Sequence, residues 1–296
     1  PSSPLTRRGS WVALPVLKEK KAMEKKVETA WCPGCGNFAI RDVLETAIRE
    51  LPVPANQIVL TSGIGQAAKM PHYLGVNYFN GLHGRSLPLA VGIKLTRPDL
   101  TVVAYSGDGC IYGEGGNHFI HTIRRRLDLT ILVSDNQVYA LTKGQSSPTT
   151  DPGVKNPLSP EGNRNIPLNP LALAITMGAP FVARGFAGEK EHLKELIKQA
   201  ILFKGTALVD ILQPCVSFNK INTYQWYRER VFHLENPLTD RYEALKMADL
   251  WGEKIPIGVI YRNESVECRQ VKEIFRKQAT QEDMECQVDM KCVMMR

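Results

Sequence analysis

The feature that most constrains this fold is a short apolar run that ends in a glycine turn. Residues 100–105 read Leu-Thr-Val-Val-Ala-Tyr and lead directly into Gly107-Asp108-Gly109. A helical period follows over residues 117–126, and a second apolar run, 129–134, closes on Asp135-Asn136. Strand, glycine turn, helix, strand is the pattern of a βαβ unit. Runs that are apolar throughout, rather than alternating, belong to a parallel sheet covered by helices on both faces.

In such a sheet the residues after each strand lie at the same edge, where ligands bind. Glycines on either side of Asp108 let a diphosphate approach the backbone closely. Asp108 and Asn136 then offer hard oxygen ligands, and the diphosphate with water completes an octahedral Mg²⁺. The plain alternative is a helix-capping aspartate and an ordinary Asx turn, because a glycine-rich motif alone is weak. The two strand contexts and the second ligand residue favour the metal–diphosphate reading.

The rest of the chain continues the alternation. Apolar residues recur at helical spacing over 38–48 and stop near Leu51-Pro52, while 57–61 read as a buried strand ending at Gly63. Residues 85–97 predict a helix closed by Pro98. Residues 146–170 are rich in Pro, Ser, Asn and Gly, and a loop of that length suits a functional cover better than a connector. A helix over 171–177, a strand over 180–184, an amphipathic helix over 189–203 and a strand over 207–212 follow, with a last apolar run at 255–260. Three regions are expected: a flexible N-terminal arm (1–26), a binding domain (27–222), and a C-terminal extension and tail (223–296). Met23 is a candidate natural start within the arm. The tail, with Cys268, Cys286 and Cys292, is expected to be a peripheral helix or partly disordered.

Charge raises nucleic acid as a partner, since the chain carries a formal +7. The excess is crowded into Arg7, Arg8, Lys18, Lys20, Lys21, Lys25 and Lys26 and into the region beyond Arg262, so solvated ends explain it better. No apolar run reaches the roughly 18 residues of a membrane span, and the first thirty residues lack a signal's apolar region. No membrane partner is expected, and a cytoplasmic location is the default. Seven cysteines, an odd number without an export signal, point to metal or redox use rather than disulfides. Cys32-Pro33-Gly34-Cys35 puts two thiols on one tight turn, a spacing used by zinc and by iron–sulfur centres. A zinc ribbon would need a second such pair, which the sequence lacks.

From residue 27 to 262 the chain resembles the thiamine-diphosphate-binding β subunit of the 2-oxoacid:ferredoxin oxidoreductases. The motifs that carry the resemblance are Trp31-Cys32-Pro33-Gly34-Cys35-Gly36, Ser62-Gly63-Ile64-Gly65, Gly81-Leu82-His83-Gly84-Arg85 and Gly107-Asp108-Gly109. Gly115-Gly116-Asn117-His118-Phe119, Asp135-Asn136-Gln137-Val138-Tyr139, Leu141-Thr142-Lys143-Gly144-Gln145 and Gln213-Pro214-Cys215 follow in family order. The resemblance implies an α/β thiamine-diphosphate-binding fold, a parallel sheet flanked by helices, with a C-terminal extension. It implies CoA-dependent oxidative decarboxylation of a 2-oxoacid to acyl-CoA and CO₂ with electrons passed to ferredoxin. Pyruvate, 2-oxoglutarate, branched-chain and aromatic 2-oxoacids all fit, with 2-oxoglutarate or a general 2-oxoacid favoured. An α subunit would supply the pyrimidine side of the cofactor, so the working unit is a heteromer.

By the same resemblance the Val138 carbonyl joins Asp108 and Asn136 on Mg²⁺. Gly65, His83, Arg85, Gly107, Gly109 and Leu141 are placed at the cofactor, and His83, Lys69 and Lys143 at the catalytic centre. Cys32, Cys35 and Cys215 are placed as ligands of a [4Fe–4S] cluster. Gln66 departs from the pattern, standing where a fourth cysteine is usual; Cys110, a histidine, water or a partner chain are the alternatives for that position. Two other functions stay in view. A cluster-free thiamine decarboxylase or carboligase subunit would use the diphosphate site alone. A metal-stabilised nucleic-acid-binding module would leave the Asp108/Asn136 pair unexplained.

Overall fold

The apolar runs become the middle strands of one mixed sheet in the computed structural model, which describes residues 28–266 and Cys268. Its strands are β1 (Ile58–Ser62), β2 (Asn77–Asn80), β3 (Thr101–Gly107), β4 (Leu129–Asp135), β7 (Phe181–Phe186), β8 (Thr206–Leu212), β9 (Val231–His233) and β10 (Ile255–Arg262). A separate hairpin is made by β5 (Val138–Tyr139) and β6 (Gln145–Ser146). The eight strands run in the order β2-β1-β3-β4-β8-β7-β10-β9, all parallel to their neighbours except β10 against β7. Every residue of β4 and β8 is buried, which is why these strands carry no polar alternation.

Successive side chains of a strand point to opposite faces, and each face has its own core. Val103 and Tyr105 of β3 join one core, packed under α1 (Gly36–Glu50) and α5 (Lys190–Leu202) through Ile40, Leu44, Leu193 and Ile197. Val102 and Ala104 join the other, beneath α2 (Ser86–Thr96), α3 (Gly116–Arg125), α4 (Pro170–Thr176) and α7 (Arg241–Ala248). Leu44 is wholly buried; truncating such a leucine to alanine costs about 2–5 kcal/mol. A third, smaller core gathers Phe186, Leu212, Ile255 and Ile257 around Tyr227 of α6 (Tyr224–Arg228).

Local chemistry sets the helix starts. The Asn169 side chain accepts from Ala172 N at 3.0 Å, with Pro170 as first helical residue of α4. The Asp240 carboxylate caps α7, accepting from Tyr242 N and Glu243 N at 2.9 Å each. Residues 223–262 supply α6, β9, α7 and β10, so the C-terminal segment completes the same sheet. The helices and strands predicted over 38–48, 57–61, 85–97, 117–126, 129–134, 171–177, 180–184, 189–203 and 207–212 all form, shifted by a residue or two at their ends. The arm before Glu28 and the tail cysteines Cys286 and Cys292 lie outside the described residues. No helix among the described residues is long and apolar enough to cross a membrane.

Candidate active site

Parallel pairing of β3 with β4 sets Gly107 opposite Ser134. The residues just beyond, Asp108 on one strand and Asp135-Asn136 on the other, therefore emerge side by side. Asp108 is 2% exposed and Asn136 7%. Both line one cleft, together with Gly65, His83, Gly107, Gly109, Val138 and Leu141. Eight of the expected cofactor residues thus meet in one place. Arg85, Lys69 and Lys143 do not line this cleft: Arg85 and Lys143 are exposed, and Lys69 is half-buried in the 3-10 turn Ala67–Tyr73.

The turn after β4 is tight. Gln137 adopts a left-handed φ of 58°, while Gln137 N donates to Asp135 Oδ1 and Val138 N to Asn136 Oδ1, each at 3.1 Å. The Asx turn weighed from sequence is therefore present, and it fixes where Asn136 Oδ1 points without using that oxygen's second lone pair. The glycines divide their work unequally. A Cβ at Gly109 would lie 2.2 Å from Tyr139 Cε1, so the tyrosine ring rests directly on that backbone, whereas at Gly107 it would meet only ordinary contacts at 3.7 Å and beyond. Gly65 has φ +129° with open space where a side chain would stand. Between Asp108 and α3 the chain makes a π-helical turn, Gly109–Glu114, which periodicity did not predict; such turns recur at functional sites. Its last residue matters: Glu114 Oε2 lies 2.9 Å from His83 Nδ1 and accepts from the Tyr139 hydroxyl at 3.2 Å.

Thr149, inside the long loop, was not foreseen. Its hydroxyl sits 2.9 Å from Asp108 Oδ2 and 2.7 Å from Asp135 Oδ1. Behind it, Asp210 accepts from the Tyr112 hydroxyl at 2.8 Å, and Arg184 is its register partner on the next strand. Burial pushes the Asp108 carboxyl up, opposed by hydroxyls of Ser147 and Thr149. Asp135 is driven well above the usual carboxylate range by burial and then by the charges of Asp210 and Asp108. Burial raises Asp210 to about 6, with Arg184 and Tyr112 opposing. Asp108, Asp135 and Asp210 are buried together, and Arg184 acts on Asp210 and Asp135 but not on Asp108, where a divalent cation would supply the missing positive charge. A carboxylate, an amide oxygen and a nearby backbone carbonyl are the hard donors that Mg²⁺ takes. The residues fit the group.

A second cleft holds the thiols. Cys32, Cys35 and Cys215 line it with Asn37, Gln66 and Gln213. Burial pushes the Cys35 thiol up to about 11, a backbone hydrogen bond at Asn37 opposing it, and the charges of Cys215 and Cys32 add to the rise. Cys110 does not join them; it lines the Asp108 cleft and accepts from Gly84 N at 3.3 Å.

Comparison with known proteins gives the family. The thiamine pyrophosphate enzyme C-terminal TPP binding domain matches residues 59–211, and the C-terminal domain of the pyruvate ferredoxin oxidoreductase beta subunit matches 215–274. A 2-oxoacid:ferredoxin oxidoreductase subunit beta from Sulfolobus is 45% identical over 251 residues, covering 80% of this chain and 82% of that protein. The chain belongs to the 2-oxoacid:ferredoxin oxidoreductase β subunits. The 2-oxoglutarate synthase subunit KorB of Methanocaldococcus jannaschii is 36% identical, covering 82% of this chain and 92% of that one. Among solved structures, the 2-oxoglutarate:ferredoxin oxidoreductase from Magnetococcus marinus, with 2-oxoglutarate, coenzyme A and succinyl-CoA bound, superposes with a TM-score of 0.83 at 34% identity. It covers 89% of this chain and 94% of that chain. The α/β thiamine-diphosphate fold and the oxidoreductase activity expected from the motifs are borne out.

Proposed function

We propose that this β subunit holds thiamine diphosphate through Mg²⁺ on Asp108, Asn136 and the Val138 carbonyl, and with an α subunit oxidises 2-oxoglutarate, with coenzyme A collecting the acyl group and ferredoxin the electrons. The observation that carries this reading is the meeting of Asp108 and Asn136, both buried, at the ends of adjacent parallel strands in one cleft. Relatives named for 2-oxoglutarate, and a solved relative with 2-oxoglutarate and coenzyme A bound, support the choice of substrate. When bound, the thiazolium ring supplies the electron sink for decarboxylation. This chain supplies position and charge. Asp108 and Asn136 orient the cation, and Thr149 holds the Asp108 carboxylate in place. Glu114 holds the His83 imidazole through Nδ1 where that residue lines the cleft.

Cys32, Cys35 and Cys215 are proposed to carry an iron–sulfur cluster, supported by three soft donors converging on one cleft. Lys69 and Lys143, outside the diphosphate cleft, stay candidates for the substrate carboxylate on resemblance alone. The test is anaerobic co-expression with the α subunit and an assay of CoA-dependent reduction of ferredoxin. Turnover on 2-oxoglutarate above pyruvate, abolished by Asp108→Ala, is expected. Decarboxylation without reduction of any acceptor would instead favour the cluster-free thiamine enzyme.

A further inference from the structure

The thiol cleft is lined by three cysteines and by four amide side chains, Asn37, Gln66, Asn136 and Gln213. Gln66 lines it beside Cys32, Cys35 and Cys215. Its side-chain Oε1 is buried and accepts no hydrogen bond. Gln213 Oε1 is in the same state, but the Gln213 amide is already committed, its Nε2 donating to Cys35 Sγ at 3.5 Å and to the Pro214 carbonyl at 3.0 Å. A buried acceptor left unsatisfied costs about 1–3 kcal/mol, so such an atom calls for a partner from outside the protein. The Gln66 backbone is also held in place. The Trp31 indole donates to the Gln66 carbonyl at 2.8 Å, and Trp31 is itself clamped edge-on by Phe38 and Tyr73. Trp31 directly precedes Cys32, so the same packing positions the Gln66 backbone and the first thiol. The other described cysteines stand elsewhere: Cys110 lines the diphosphate cleft, and Cys268 Sγ donates to the Arg126 carbonyl.

We infer that Gln66 occupies the fourth corner of a cluster held by only three thiolates, so that one iron is bound by no protein sulfur. The inference rests on the proposal above that these cysteines carry a cluster. Two consequences follow from charge and ligand chemistry. A neutral amide oxygen in place of a thiolate removes one negative charge, which moves the reduction potential to more positive values. A hard oxygen also holds iron less firmly than a soft thiolate does in such a centre. Mild oxidation then releases that iron while three thiolates keep the remainder: [4Fe–4S]²⁺ → [3Fe–4S]⁺ + Fe²⁺ + e⁻, with ferricyanide taking the electron. Gln66 lines both clefts, so the sulfur-free corner falls on the wall they share.

The test uses the anaerobically purified complex with its α subunit, quantified for iron and sulfide, then titrated with ferricyanide under EPR. Wild type is expected to develop the near-isotropic signal of an oxidised three-iron cluster as it releases about one Fe²⁺ per cluster. Gln66→Cys supplies the missing thiolate, and loss of that signal with iron retained is the expected result, along with a reduction potential shifted to more negative values. Gln66→Ala keeps the conversion and guards against a cysteine variant that fails to fold. A wild-type cluster that keeps all its iron under the same oxidation, as Gln66→Cys does, would overturn the inference while leaving the cluster itself standing. Absence of iron and sulfide from the folded wild-type complex would overturn the cluster proposal, and this inference with it.

Discussion

Replacing Thr149 by valine removes one hydroxyl and almost no volume, and that hydroxyl is the only feature of the residue that touches the site carboxylates. Its oxygen lies 2.9 Å from Asp108 Oδ2 and 2.7 Å from Asp135 Oδ1. A hydroxyl has one proton, so at any instant only one of the two contacts is a full hydrogen bond, and the loss is not twice that of a single bond. A hydrogen bond to a charged group contributes about 1.5–3 kcal/mol. Asp108 must be ionised to hold Mg²⁺, and burial already works against that state. Thr149→Val is therefore expected to weaken thiamine diphosphate binding by about 2 kcal/mol, roughly 30-fold. Calorimetric titration of the αβ complex at fixed Mg²⁺ reads this directly. Thr149→Ser, which keeps the hydroxyl, should bind as wild type does. Wild-type affinity in the valine variant, or an equal loss in the serine variant, would refute the reasoning.

Other perturbations have equally definite outcomes. Gly109→Ala drives a methyl into the Tyr139 ring and, through the hydroxyl, disturbs Glu114 and His83; overpacking of about 1–3 kcal/mol is expected, read as a lower Tm together with weaker cofactor binding. Gly84→Ala meets the Glu114 backbone at 2.6 Å and has φ +72°, so its loss of stability on thermal denaturation should be the larger of the two. Asp210, with its carboxyl raised to about 6 in the fold, holds a proton that the unfolded chain releases near its ordinary value. Its contribution is present at low pH and is lost as pH climbs from about 4 through about 6, at up to about 1.4 kcal/mol per pH unit. Asp210→Asn should flatten that decline in metal-free protein, measured as Tm against pH; identical slopes would contradict it.

What could be read in advance follows from burial. The strands β3, β4 and β8 are covered on both faces, so their sequences are apolar throughout and stand out as blocks. Helices α1 and α5 bury one stripe each, and their spacing shows it. β2 has every residue exposed and gives no apolar pattern, while β9 is short and lies at the opposite edge. Within the site, Asp108 and Asn136 were legible because each directly follows an apolar run. Thr149 was not, since a threonine in a polar loop looks like any other until the loop folds over Asp108. Arg184 and Asp210 did leave a trace. Each is a charged residue inside an otherwise apolar strand, and buried charges require partners. Of the two glycines flanking Asp108, only Gly109 is demanded by the close approach of a side chain; Gly107 is not.

The central claim is that Asp108 and Asn136 grip a diphosphate through a divalent cation. The most direct test is equilibrium binding of thiamine diphosphate to the αβ complex, with Mg²⁺ and then with the metal chelated, in wild type and in Asp108→Ala. Tight binding that disappears on chelation, and is absent from the folded variant even with Mg²⁺, is the predicted result. Equal binding with and without the metal, or undiminished binding in Asp108→Ala, would contradict the account.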